Sequence, residues 1–280
     1  MISANSFSYC SEKVCQPGSS LHYALLFQNP EDRAFWLGCF TLAHEIRSTG
    51  MKQLEAGLTQ VKLGWWRNAL VDAKTQASQH PIIQAIGQHH INAVPEAAWG
   101  DLIEQMVDSC EVKRHNTLAD WHATTLRELE PWSHLIAVKA GVSDTKQLHE
   151  LLNFWAWSIE LCQLLRLAKY LDENFQPVPV DWLQQHEVTA EQVRQRAHDE
   201  KTTALFISMA KTLQEEAELA WKRLPQTLRL FARPLRALFR MRVAEFNLHK
   251  PSNYLLLTEQ KMLTPWKKFS ISWTTQVLRW

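Results

Sequence analysis

Apolar residues recur every three or four positions along almost the whole chain, and the runs break at proline, glycine or polar clusters. That period marks helices with one buried face. The segment NPEDRAFWLGCFTLAHEIRS opens at Asn29-Pro30, and proline is tolerated in a first helical turn. MKQLEAGLTQVKLGWWRNALVDAKTQ continues the pattern with Leu54, Leu58, Val61, Trp65 and Leu70 at its apolar positions. HPIIQAIGQHH starts another helix at Pro81, EAAWGDLIEQMVDSCEV follows Pro95, and TLADWHATTLRELEPWSHLIAVKAG follows a polar turn. A Trp-rich helix is expected around 147–171, then a proline-broken loop QPVPVDWL, helices near 189–222 and 225–249, and an amphipathic segment over roughly 259–279. No internal repeat or low-complexity linker interrupts them. The pattern predicts an all-α bundle forming a single domain over 1–280.

Composition agrees. Apolar residues make up 46% of the chain, only 8 of 280 residues are glycine, and β-branched runs are rare. The most apolar run, LLNFWAWSIELCQLLRLAKYL, contains Glu160, Arg166 and Lys169, so it is expected in a bundle rather than across a membrane. Five cysteines show no CxxC or other zinc spacing. Cys39 and Cys162 sit in apolar helical patterns and are expected as core thiols, while Cys10, Cys15 and Cys110 have no evident partner; a reduced, cytosolic setting fits. The N-terminus has neither the basic nor the apolar region of a signal peptide. No GxSxG, P-loop or GxGxxG occurs. His89, His90, His115 and His122 are expected in surface or capping roles rather than on a metal. Trp36, Trp65, Trp155, Trp157 and Trp221 lie in apolar helical patterns and are expected in the core, which argues against a nucleic-acid stacking platform.

Charge changes the picture at one end. Residues 221–280 hold 12 of the 30 Lys and Arg but only 2 of the 29 Asp and Glu, a net of +10 in a chain whose net charge is +1. Arg229, Arg233, Arg236 and Arg240 follow helical spacing and form a stripe on one face. The last stretch, KMLTPWKKFSISWTTQVLRW, mixes Lys267 and Lys268 with Trp266, Trp273 and Trp280, and tryptophan favours a membrane interface. These residues are expected to meet an anionic membrane surface, on its cytoplasmic face, or a protein partner.

The stretch TLAHEIRST begins like a zinc-protease helix, His-Glu-x-x-His, but Ser48 stands where the second histidine belongs. Other motifs give it a different context. In order, GSSLHYALL, EDRAFWLGCFTLAHEI, LGWWRNAL, HPIIQAI, ELCQLLRLAKYL with VPVDWL, and LPQTLRLFARPLRALFRM occur between about Tyr9 and Lys268. The series resembles the squalene/phytoene synthase family. The resemblance implies the all-α terpenoid synthase-like bundle around a deep apolar cavity, in enzymes that join two prenyl diphosphates head to head. It also implies Mg²⁺ held by two Asp-rich helix motifs, since a departing diphosphate needs a hard cation and oxygen ligands. In this chain Arg47, Ser48 and Met51 occupy the first motif's aspartate positions, and Leu167, Tyr170 and Leu171 those of the second. Phe175 replaces an arginine. Asp172 and Glu173 follow at once, but a one-residue shift turns a side chain by about 100°.

The resulting expectation is a member without catalytic residues, metal or cofactor, acting by binding a prenyl or other apolar lipid, a protein, or both. The family includes a precedent of that kind, an assembly factor for respiratory complex I. The alternative is a divergent prenyltransferase. Arg47, with Arg166 and Lys169, is a candidate anion site that replaces metal binding with direct charge pairing; equally, Arg47 pairs with a nearby acid.

Overall fold

Every regular element among the described residues is an α-helix, in the order α1 (Ala4–Val14), α2 (Ser20–Leu25), α3 (Pro30–Met51), α4 (Ala56–Asp72), α5 (Pro81–Ile86), α6 (Gln88–Ala93), α7 (Glu96–Asp108), α8 (Leu118–Leu129), α9 (Trp132–Ala140), α10 (Thr145–Leu165), α11 (Leu167–Asp172), α12 (Val180–Gln185), α13 (Ala190–Arg194), α14 (Glu200–Arg223), α15 (Gln226–Phe231), α16 (Arg233–Leu248) and α17 (Pro265–Val277). The structure, a computed structural model, describes residues 4–51, 56–108, 114–172, 178–250, 256–258 and 260–277. Leu54, Cys110, Glu173, Phe175 and Trp280 lie outside these residues. The chain divides into two compact units, one of residues 1–111, 128–148 and 272–280, the other of 112–127 and 149–271.

The first unit is built on α3. Asn29 caps it, its Oδ1 accepting from the Asp32 N–H at 2.9 Å, and Pro30 fills the first turn where no N–H is needed. Phe35, Trp36, Leu37, Leu42 and Ile46 are fully buried, each worth roughly 1.5–3 kcal/mol of apolar transfer. Against α3 pack α1, α5 and α7. The approach of α5 is close: a Cβ on Gly38 would lie 2.8 Å from Ile86 Cγ1 and 2.9 Å from the Ile86 backbone nitrogen. A glycine is required there to let the two backbones meet.

In the second unit Phe154 of α10 packs against Trp221 of α14 at 4.8 Å between ring centroids and edge-on against Phe239 of α16 at 5.5 Å. Leu151, Leu161 and Leu164 extend the same buried face of α10, and Leu205, Leu213 and Ala217 bury that of α14.

Several runs that read as single helices are interrupted, each for a local reason. Pro131 separates α8 from α9, and Gly87, at φ 98°, separates α5 from α6. Arg196, at φ 55°, lies between α13 and α14, and each of those helices starts with its own capping box, Thr189 with Gln192 and Asp199 with Thr202. Pro234 marks the first turn of α16 and parts it from α15. VDWL, expected as loop, opens α12 after Pro179. The N-terminal stretch, for which the pattern predicts no element, forms α1 and α2. One core expectation fails outright. Trp65 is 50% exposed, and Leu58 and Val61 share its outward face on α4; the inward side of that helix carries Leu63, Trp66 and Leu70 instead. Trp36, Trp155 and Trp221 are buried and Trp157 is half-buried.

Candidate functional site

Near its C-terminal end α3 presents the residues at the first motif positions. Arg47 pairs with Glu128 near the end of α8, so its charge is already matched within the first unit. The pairing is favourable twice over, because a cation also offsets the negative end of α8. Of the two readings of Arg47 drawn from sequence, pairing with a nearby acid is the one present in this geometry. Ser48 donates its hydroxyl to the Glu45 carbonyl one turn back, at 3.1 Å, and Thr49 does the same at 2.8 Å. Glu45 meets Lys13 of α1 at 3.0 Å, and His44 is exposed. Met51 ends α3; its side chain lies outside the described residues. A divalent cation does not fit this set, since a paired guanidinium and a hydroxyl committed to its own helix supply no anionic oxygen.

The second motif positions fall on α11, after a break at Arg166. Leu167 is fully buried, Tyr170 and Leu171 are half-buried, and Arg166 and Lys169 are exposed. One turn or more before them, α10 carries a carboxylate in the core. Glu160 has no solvent exposure and takes a hydrogen bond from His122 Nδ1 of α8 at 3.1 Å. The other ring nitrogen of His122 lies 3.1 Å from the Asn153 amide oxygen, and the ring stacks on Trp157 with centroids 3.5 Å apart. Among the described residues no group of three or more His, Cys, Asp or Glu is placed to hold a metal ion.

The model of the squalene/phytoene synthase family matches residues 16–245. The chain belongs to that family. Solved structures show the same fold at low identity. The squalene synthase HpnC from Alicyclobacillus acidocaldarius superposes with a TM-score of 0.69 at 17% identity, over 89% of this chain and 95% of that one. A dehydrosqualene synthase in complex with ligand gives 0.70 at 12%, over 97% and 95%. YisP from Bacillus subtilis subsp. subtilis strain 168 gives 0.55 at 12%, over 96% and 95%. No match to a curated protein is found. The all-α terpenoid synthase-like expectation therefore holds.

This squalene/phytoene synthase family member differs from its sequence reading in the histidines. His90, His115 and His122 are not surface groups: the first two are buried and the third is nearly so. Burial pushes the His90 pKa down to about 4, with the neighbouring His89 adding to the effect. The His122–Glu160 pair escapes sequence reasoning because its members are 38 residues apart and neither spacing nor periodicity links them. A lone glutamate in the most apolar run is the available signal. Burial raises the thiols of Cys10 and Cys15 to about 11 and that of Cys39 upward as well, which makes these three poor nucleophiles.

The basic segment is only partly free for an outside partner. The four arginines are split between two helices, Arg229 on α15 and the others on α16, and all are half-buried. Arg236 binds Glu218 at 2.8 Å and lies over the rings of Trp221 and Phe239. Arg229 donates to the Lys222 carbonyl at 2.6 Å. Lys268 is only 3% exposed and contributes to the field at the half-buried Glu245, whose pKa desolvation raises; it cannot reach a surface without leaving that position. Lys267, one residue earlier, is exposed. A groove of about 440 Å³ along α14 and α16, lined by Glu215, Glu218, Lys222 and Phe239 among others, includes none of the motif positions.

Proposed function

We propose that the protein is a non-catalytic member of its family that binds a prenyl or other apolar lipid and works as a peripheral protein at the cytoplasmic face of a membrane. The observation that carries this reading is Leu167, an aliphatic side chain with no solvent exposure at a position where the family resemblance places a metal-binding aspartate. A buried leucine offers neither a ligand for Mg²⁺ nor access for a diphosphate. The neutralised Arg47 supports the same reading at the other motif. The synthases of known structure with this fold make an isoprenoid binder the natural descendant. A protein partner of assembly-factor type is compatible with lipid binding and adds no requirement on the motif helices.

The test has two arms. Purified protein incubated with Mg²⁺ and farnesyl or geranylgeranyl diphosphate is expected to release no more diphosphate than a heat-inactivated control. Metal-dependent turnover above that control restores the divergent prenyltransferase. Organic extraction of the native protein, followed by mass spectrometry, is expected to yield an apolar isoprenoid or other lipid in stoichiometric amount. An extract with no such lipid removes the lipid-binding part of the proposal.

A further inference from the structure

The C-terminal helix α17 has an exposed face that its own fold does not use. Trp266 is 77% exposed, Trp273 50% and Val277 54%. With Ser270, also exposed, they fall within an arc of about 60° when each residue is turned by 100°. The buried positions of the same helix, Lys268, Ser272 and Thr275, lie on the opposite side. The pattern is thus partly inverted: Trp266, Trp273 and Val277 face water and Phe269 and Ile271 are half-buried, while a lysine and two hydroxyls face the protein. Met262, just ahead of the helix, is also strongly exposed. Burial against the protein does not explain these side chains, and exposed apolar patches of this kind mark interaction surfaces.

We propose that α17 lies flat on an anionic lipid surface, its Trp266–Trp273–Val277 face entering the boundary between headgroups and acyl chains and Lys267 pairing with phosphate at its flank. The proposal rests on the peripheral reading given above and supplies the contact surface that it needs. Charge selects the occupant. After Glu245 the chain has one acid, Glu259, against five Lys and Arg, so a negatively charged surface is matched and a basic one repelled. Tryptophan selects the depth, because its amphipathic ring favours the headgroup level. One-sidedness selects the orientation. The thirteen described residues of the helix gather their exposed apolar side chains on one face, which suits lying in the plane of a bilayer. Among the described residues no helix is long and apolar enough to span a membrane. The stripe of four arginines read from sequence is not the device here, because Arg236 is held by Glu218 and two aromatic rings.

Flotation of the full chain on a density gradient tests the proposal. The vesicles are equimolar phosphatidylglycerol and phosphatidylcholine in one arm and phosphatidylcholine alone in the other, at low salt. The wild type is expected to float with the anionic vesicles and to stay at the bottom with the neutral ones. The double variant W266S/W273S removes two exposed side chains, so its far-UV spectrum should not change, and its affinity for anionic vesicles should fall at least about tenfold. K267E should also weaken binding. L219S, which alters an exposed leucine of α14, should not. If the double variant floats as the wild type does, α17 is not the contact, although the peripheral reading survives. If the wild type does not float with either vesicle, both fail. Equal flotation with neutral vesicles overturns the anionic part of the proposal.

Discussion

The helices α3 and α11 meet the same absence in opposite ways. Where the family resemblance places carboxylates, α3 carries an arginine whose charge is matched by Glu128, and α11 begins with a leucine sealed from water. The acids that remain nearby differ in the same sense. Glu45 on α3 is held by Lys13 at the edge of solvent, whereas Glu160 on α10 is held by His122 in the core. The partners Glu128 and His122 are both residues of α8. The comparison separates two costs of rebuilding a metal site. At Arg47 a carboxylate would face a like charge in partly wet surroundings; at Leu167 it would have to be desolvated altogether.

The largest expected effect is therefore at Leu167. Leu167→Asp loses a buried aliphatic side chain and buries a charge without a partner, for a predicted destabilisation of about 5 kcal/mol or complete loss of folding. Urea denaturation followed by circular dichroism measures it. A loss below about 1 kcal/mol would mean that this position opens to water, and would break the contrast between the two helices. Next comes His122→Ala. It strips Glu160 of its hydrogen bond to His122 and Trp157 of its stacked ring, and should cost about 3 kcal/mol. Adding Glu160→Gln should recover part of that loss, because an amide costs less to bury than a carboxylate; a double variant no more stable than His122→Ala assigns the cost to packing alone.

The smallest of the three is Arg47→Asp, predicted at about 1–2 kcal/mol, since it sets two carboxylates together beside the C-terminal end of α8 but leaves both near solvent. The charge-swapped pair, Arg47→Asp with Glu128→Arg, should regain most of the stability. A double-mutant cycle by thermal denaturation reads the coupling directly, and a coupling near zero shows that Arg47 is held by something other than Glu128.

The helical period and the order of motifs make the fold legible from the amino-acid sequence, because both depend on residues close together along the chain. The start of α3 is readable from Asn29-Pro30 for the same reason. What escapes is decided by partners far along the chain or by a single backbone angle. The outward turn of Trp65 depends on which side of α4 meets α7, and no spacing rule tells the two sides apart when both carry apolar residues. The division between α13 and α14 rests on Arg196 adopting a positive φ, which its side-chain chemistry does not announce. Lys268 looks in sequence like the twin of Lys267, yet one helical step of rotation carries it from solvent to the vicinity of Glu245. At the candidate site the residue identities are legible from the motifs, but their meaning is not: whether Arg47 stands ready for an anion or is already satisfied depends on Glu128, 81 residues away.

Gly38 gives this divergence a scaffold. The demand for a glycine comes from the Ile86 backbone crossing α3, and it has nothing to do with what the other end of that helix does. Arg47 lies nine positions further on, about 13 Å along the axis, and answers to a different neighbour. One helix thus serves two masters that do not consult each other. A change of chemistry at the motif end of α3 therefore leaves the joint at Gly38 untouched, so the architecture stands whatever those positions do.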